Sequence, residues 1–515
     1  MVFSDSREKI QMENWQMLMH GFSVAFTFGN ASAAFIGALL GIFVGAMPGI
    51  GSAAGISLLL PMTFKMNPTT GIIMLAGIYY GNMYGGAYSA TLMNIPGDTP
   101  AVVTALDGYQ LTLKGKAGKS LASGNFASFI GGTIGIIFLT IFGPLLAELG
   151  LKFGPAEVAA LIFLALTSIG WLLGDDPIKG LVAACVGVLI STIGIDGASG
   201  IARYSFGNLN LIGGIAFVPL VIGMFGFSQV IEMMTDMKDF SVEGVKKLSL
   251  KESMLTWAEF KSIFWPSVRS GVLGNFIGFL PGAGATTGSF LAYILEKRIG
   301  KKRHQLGTGE ITGVAVSESA NNAGAVGSFA PLLSLGIPGS STSAVLLGGL
   351  MMWGLRPGPL LFESNPDFVW GLISSMYFGN LLCLLAGMAI LPFLVTFLKI
   401  SKRVMIPIIM VICLVGSYSV GNSVFDMGVM LVAGLVAFYL KKRSFPTSPV
   451  LLAFVLAPRL EVSMRQALSI SQGSVWVFFE KPISAVILSI TFALLLFPLI
   501  QKLVLFVKHS SKRSD

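Results

Sequence analysis

Five residues bring oxygen chemistry into runs that are otherwise apolar: Asp98, Glu318, Ser319, Asn321 and Asn322. Carboxylates, amides and hydroxyls are hard ligands of the kind that hold sodium. Asn321 and Asn322 are candidate sodium ligands, and Asp98, Glu318 and Ser319 complete a candidate cation-coupling set. Either acid can titrate or ligate, so sodium and proton coupling both stay open. An ionisable group at membrane depth is costly, and is retained there for function by default. The plainer reading has the amides bonding broken backbone and the acids at wet loop ends. Asp107 and Glu310 are placed nearer the surface.

A second set is hydroxylic: Ser52, Thr99, Thr286, Thr287, Ser340, Ser341 and Thr342. Each follows shortly after one of four proline-glycine pairs, Pro48-Gly49, Pro96-Gly97, Pro281-Gly282 and Pro338-Gly339. Proline lacks the backbone donor and clashes with the preceding turn, while glycine permits reversal, so helices must stop at these points. The helix restarting after each break offers free N–H donors and roughly +0.5 of a charge, a cradle for carboxylates without fixed cations. The prolines, glycines and hydroxyls of the breaks are therefore the candidate substrate-binding residues. Helix capping is the ordinary alternative for any one hydroxyl. Broken helix at membrane depth persists only where it is buried in protein or lines a wet cavity.

The breaks come in pairs. An offset of 233 positions lays Gly41, Gly45, Pro48, Gly49, Gly51 and Gly55 onto Gly274, Gly278, Pro281, Gly282, Gly284 and Gly288. An offset of 242 lays Gly85, Pro96 and Gly97 onto Gly327, Pro338 and Gly339. The chain is internally duplicated. After the first break, one repeat carries Lys65 alone and the other Lys297, Arg298, Lys301, Lys302 and Arg303; after the second break the bias reverses, with Lys114, Lys116 and Lys119 against Arg356, Glu363 and Asp367. Positive charge marks the cytoplasmic side, so the repeats are expected to be inverted. Inverted repeats with broken helices are a secondary-transporter architecture.

Composition sets the class. Of 515 residues 54% are apolar and 11% charged, where a soluble domain carries about 25% charged. The expected fold is an all-α polytopic membrane protein of two inverted repeats with re-entrant or broken hairpins, elevator-like, with about 10–12 membrane segments. Spans are expected at 121–147, 155–173, 178–195, 208–229, 368–398, 404–420, 424–440 and 483–507, with a short apolar stretch at 448–457. The divisions are an interfacial segment 1–20, a first repeat 21–230, a polar connection 231–258, a second repeat 259–507 and a basic tail 508–515. The net charge of +9 lies in loops and reads as the cytoplasmic bias, with membrane lipids as surroundings and no nucleic-acid partner. Cys185, Cys383 and Cys413 are expected as small core residues, and His20, His304 and His509 lie in polar flanks, which argues against zinc and histidine catalysis. No catalytic residue and no cofactor is expected beyond a coupling Na+ or H+. An intramembrane enzyme or an anion channel is the alternative class; Leu172 breaks the GxGD pattern of intramembrane aspartyl proteases, and no TVGYG filter is present.

Three strings, YYGNMYGGAYSATLMNIPGDTPAVVTALDG, GEITGVAVSESANNAGAVGSFAPLLSLGIPGSSTSAVLLGG and LRPGPLLF, closely resemble the large membrane subunits (TctA) of the tripartite tricarboxylate transporter family. The resemblance covers nearly the whole chain. It implies a multi-pass permease of the bacterial inner membrane that works with a small membrane subunit and a periplasmic substrate-binding protein. Such a permease imports citrate-like or related organic carboxylates on an ion gradient. The family often has Pro-Glu where this chain has Ser317-Glu318, so the local helix start is expected to differ.

Overall fold

The computed structural model describes residues 2–172, 176–235, 248–280, 284–398 and 400–511, with side chains over 14–168, 176–235, 248–280, 284–398 and 400–496. An apolar chain in lipid must satisfy its backbone internally, and this one does so with helices. β pairing among the described residues is a two-residue antiparallel ladder, Gly194 with Arg203 and Ile195 with Ala202. Among the described residues six helices are long and apolar enough to cross a membrane: Phe28–Ala46, Ala117–Leu151, Phe217–Thr235, Pro366–Phe397, Lys402–Gly421 and Val424–Lys442. Shorter apolar helices, Gly51–Thr63 and Ser341–Met352 among them, follow the breaks. The chain is a helical, multi-pass membrane protein.

Three expectations change. The span placed from 208 starts at Phe217, because Gly214 at φ +81° closes a short turn just before it. The stretch at 448–457 is the start of a longer helix, Ser448–Ile470, whose charged half is neutralised by ion pairing. Cys185 is exposed, whereas Cys383 and Cys413 are buried.

The chain divides into two compact units, one of residues 1–150 and 216–439, the other of 151–215 and 440–515. In the second, Ser448–Ile470 packs on Pro155–Leu172 and Pro177–Ser191. Arg203 pairs with Glu461 at 3.0 Å, and Arg465 bridges Glu461 at 2.7 Å and Asp196 at 3.0 Å. Hydrogen bonds from the Ser199 hydroxyl and the Ala198 N–H, followed by Arg465, hold the Asp196 carboxyl down at about 2.

The first unit holds the breaks. Its first block is α1 (Phe28–Ala46), α2 (Gly51–Thr63), α3 (Pro68–Met93) and α4 (Ala101–Leu113). Its second is α5 (Trp257–Gly278), α6 (Gly284–Ile299), α7 (Ile311–Gly327), α8 (Phe329–Leu335) and α9 (Ser341–Met352). Gly41 and Gly45 on α1 press on the Ile78 and Asn82 carbonyls of α3; Gly274 and Gly278 on α5 press on the Ala320 and Gly324 carbonyls of α7. A Cβ at any of the four would strike backbone, so glycine is what lets each pair of helices touch. The two sets of contacts coincide under the sequence offsets of 233 and 242. Tyr84 and Tyr88 on α3 donate to Asn380 and Asn125, both at 2.9 Å, and so tie the first block to helices Pro366–Phe397 and Ala117–Leu151.

Candidate functional site

The local sequence makes the breaks at Pro48-Gly49, Pro96-Gly97 and Pro338-Gly339 tight reversals. After α1 ends at Ala46, Gly49 and Gly51 take φ of +81° and +70°, and α2 starts behind Ile50 with no side-chain cap. After α3 the chain turns through Asn94 at φ 57°, and after α8 through Gly336 at φ +67°. Gly97 sits on the Gly45 carbonyl beside Gly86, and Gly339 on the Gly278 carbonyl beside Ser328, again matching under the two offsets. Pro281 and Gly282 lie outside the described residues; α6 begins just after them at Gly284, φ +57°.

Within the first block the two breaks are stitched together. Gly51 N–H donates to Gly97 O at 3.0 Å, and Gly97 N–H to Gly86 O at 3.3 Å. The two blocks then meet across their breaks. Ser52 Oγ on α2 and Thr342 Oγ1 on α9 are 2.7 Å apart, and Tyr79 OH on α3 is 3.3 Å from Ser340 Oγ. Pro48, Gly49, Ser52, Pro96, Gly97, Asp98, Ser340 and Thr342 therefore belong to one junction.

Capping accounts for part of the hydroxyl set. Ser340 and Ser343 form a reciprocal capping box at the start of α9, at 3.1 and 2.8 Å. Thr99 is exposed, and its N–H donates to Asp98 Oδ1 at 2.8 Å. Ser341, Thr286 and Thr287 are half-buried on the first turns of α9 and α6.

Asp98 faces both the hydroxyl and the N–H of Ser52, so its carboxylate stands at the otherwise uncapped start of α2. Its Oδ2 is buried with no hydrogen-bond partner. A negative charge there offsets the helix dipole.

Glu318 lies one step away along α4. It is fully buried on α7, where Thr104 of α4 donates to Oε1 and Ser128 donates to Oε2 at 3.3 Å. Asn322 Nδ2 donates to the Glu318 carbonyl at 3.1 Å, while the Oδ1 atoms of Asn321 and Asn322 are buried without partners. Ser319 points elsewhere, donating to Ser267 O at 2.6 Å. The structure thus forms two polar clusters, one at the junction and one around Glu318, with α4 running between them.

Asp107 is not a surface acid. It is fully buried and accepts from Tyr293 OH at 2.7 Å and from the N–H groups of Gly307, Gly309 and Glu310 at 2.8–2.9 Å. With four donors satisfied it clamps α4 and α6 to the loop before α7. Glu310 pairs with Lys302 at 2.6 Å.

Sequence reasoning missed two amides. Asn82 on α3 and Asn275 on α5 are fully buried, and neither atom of either carboxamide has a partner. A buried amide without partners costs about 1–3 kcal/mol per group, which a ligand can recover. The available signal was an asparagine inside an otherwise apolar, glycine-rich helix; its burial came only from packing. Unpaired oxygens suit a cation, and uncapped helix starts with hydroxyls suit an anion.

Comparison with known proteins agrees in class. A protein of Agrobacterium vitis described as an uncharacterized 52.8 kDa protein in the TAR-I ttuC' 3'region is 41% identical over 473 residues, 92% of this chain and 94% of that one. A second from Agrobacterium vitis, an uncharacterized protein in the TAR-II ttuC' 3'region, is 40% identical over 217 residues, 42% of this chain and 90% of that one. No solved structure matches. Residues 32–452 match the family described as the tripartite tricarboxylate transporter TctA family. With that match spanning most of its length, over the same helices whose breaks meet in one junction, the chain belongs to the TctA family of tricarboxylate transporter components.

Proposed function

We propose that this chain is the large permease subunit of a binding-protein-dependent tripartite transporter that imports citrate-like or related organic carboxylates by cation coupling. Its place is the bacterial inner membrane, and its partners are a small membrane subunit and a periplasmic substrate-binding protein. One observation carries the reading: helix breaks from two blocks far apart in sequence meet directly, at the 2.7 Å contact between Ser52 and Thr342. Broken helix ends at membrane depth persist where they are buried in protein or line a wet cavity, and secondary transporters place their solute sites where such ends converge.

Carboxylate oxygens are bound by N–H groups and hydroxyls after the breaks, among them Ser52, Thr286, Thr287, Ser340, Ser341 and Thr342. The coupling cation, Na+ or H+, uses Asp98, Glu318, Asn321 and Asn322, with sodium at Asn321 and Asn322, while Ser319, turned to Ser267, drops out of the set. The unpartnered Oδ1 atoms of those two amides support that assignment. The blocks are inverted repeats, which the reversed loop charges and the recurring glycine contacts support. The paired hairpins move as a substrate-carrying unit against the remaining spans. A crosslink fixing a hairpin to such a span should stop transport; unimpaired transport would exclude the movement.

The test is uptake of labelled citrate into proteoliposomes holding this chain, its small partner and its binding protein, under imposed sodium or proton gradients. Uptake driven by one gradient and lost in Glu318→Gln supports the reading. Failure of every organic anion tested under both gradients, with assembly verified, overturns it.

A further inference from the structure

We infer that the first block holds a monovalent-cation site of its own, between the Asp98 carboxylate and the Asn82 carboxamide. The inference rests on the permease reading and adds to it a cation position separate from Asn321 and Asn322.

Asp98 and Asn82 line the same seam between α2 and α3. Asp98 Oδ1 lies 3.6 Å from where a Cβ on Gly51 would stand, and Asn82 Nδ2 lies 3.4 Å from where one on Gly55 would stand. A Cβ on Gly86 would lie 3.3 Å from Asp98 N. Gly51 and Gly55 are one helical turn apart on α2, as Asn82 and Gly86 are on α3, so the two polar side chains sit about one turn apart along the seam. Gly51 leaves open space beside the carboxylate, while at Gly55 the Val44 side chain takes the room that a Cβ would fill. Both groups have unmet capacity: Asp98 Oδ2 and both atoms of the Asn82 amide are buried without partners.

Charge decides what belongs there. A carboxylate with an amide oxygen carries one net negative charge, which a monovalent cation neutralises and a divalent one would overshoot in an apolar setting. Hard oxygen ligands select sodium over softer ions. Like charge disfavours an anion beside the Asp98 carboxylate itself, which leaves the substrate to the hydroxyls across the Ser52–Thr342 contact. The site needs the amide turned over, with Oδ1 where Nδ2 now faces Gly55, and a carboxamide fits either way round in the same space.

Equilibrium binding of radiolabelled sodium to the purified chain, in choline-balanced buffer without carboxylate, tests the site apart from transport. Asn82→Ala is expected to weaken one share of sodium binding about 10–100-fold, and Asn321→Ala a different share, with the double variant losing both. Asn82→Asp keeps the oxygen and should bind sodium at least as tightly as the native chain, which settles the matter should Asn82→Ala fold poorly. Native-like sodium binding by Asn82→Ala overturns the site, as does loss of binding in folded Asn82→Asp. A native chain that binds no sodium overturns it too, while proton-driven citrate uptake would leave the permease reading standing.

Discussion

Asp98 and Ser340 occupy matching positions in the two blocks, 242 residues apart and each directly after a proline-glycine pair. They differ by a charge. Asp98 sets a carboxylate at the start of α2 and keeps one oxygen without a partner. Ser340 closes a neutral capping box at the start of α9 and leaves the positive end of that helix uncompensated. On the proposed reading the break at Pro96-Gly97 favours a cation and the one at Pro338-Gly339 a carboxylate, and the Ser52–Thr342 contact joins them. A duplicated frame can divide two ligands between its halves by one residue.

Asp107 sets the scale for an acid that is purely structural, and the largest effect belongs to it. Asp107→Ala strands the Tyr293 hydroxyl and three backbone N–H groups, and should lower stability by about 3 kcal/mol or more, read as thermal unfolding in detergent. Unchanged unfolding would mean the clamp is not what holds that loop. Ser340→Asp makes the second break resemble the first; like-charge repulsion should cut citrate uptake about 100-fold, and native KM would break the comparison. Asp98→Asn should weaken sodium activation about 10–100-fold while leaving the fold intact. Full sodium dependence in that variant would remove Asp98 from coupling. Ser52→Ala removes one hydroxyl, which meets Thr342 and Asp98, and should cost about 0.5–1.5 kcal/mol, a several-fold rise in KM.

The smallest effect concerns Asp196, an acid that has its cation already. Its carboxyl is held at about 2, below the usual value near 3.9, so its stabilising contribution is complete above that usual range and fades only as pH falls through about 2. Amide-exchange protection of the Gly194–Arg203 hairpin should be flat from pH 5 to 8. A loss of protection in that window would mean another group governs it.

The breaks were legible because proline and glycine act locally: Pro48-Gly49, Pro96-Gly97 and Pro338-Gly339 all fall between helices, as the missing donor and clash require. The duplication was legible because glycines at close helix contacts cannot vary freely. What stayed hidden depends on who meets whom. Nothing local distinguishes Asp107, with four donors, from Asp98, with an orphaned oxygen, nine positions earlier. Asn82 reads as one polar residue in a glycine-rich run until α2 closes over it. The apolar stretch at 448–457 stops short of Arg459, Glu461 and Arg465, yet Asp196 and Arg203, distant in sequence, let one helix run on past them.

The division of ligands between the breaks is tested most directly by alkylation of single cysteines. Thr99→Cys reports the first break and Ser341→Cys the second, with Cys383 and Cys413 replaced and the exposed native Cys185 kept as an internal reference. Sodium alone should slow labelling at Thr99→Cys, citrate should slow it at Ser341→Cys, and Cys185 should react at one rate throughout. Citrate protection confined to Thr99→Cys, or no protection at either break, would contradict the account.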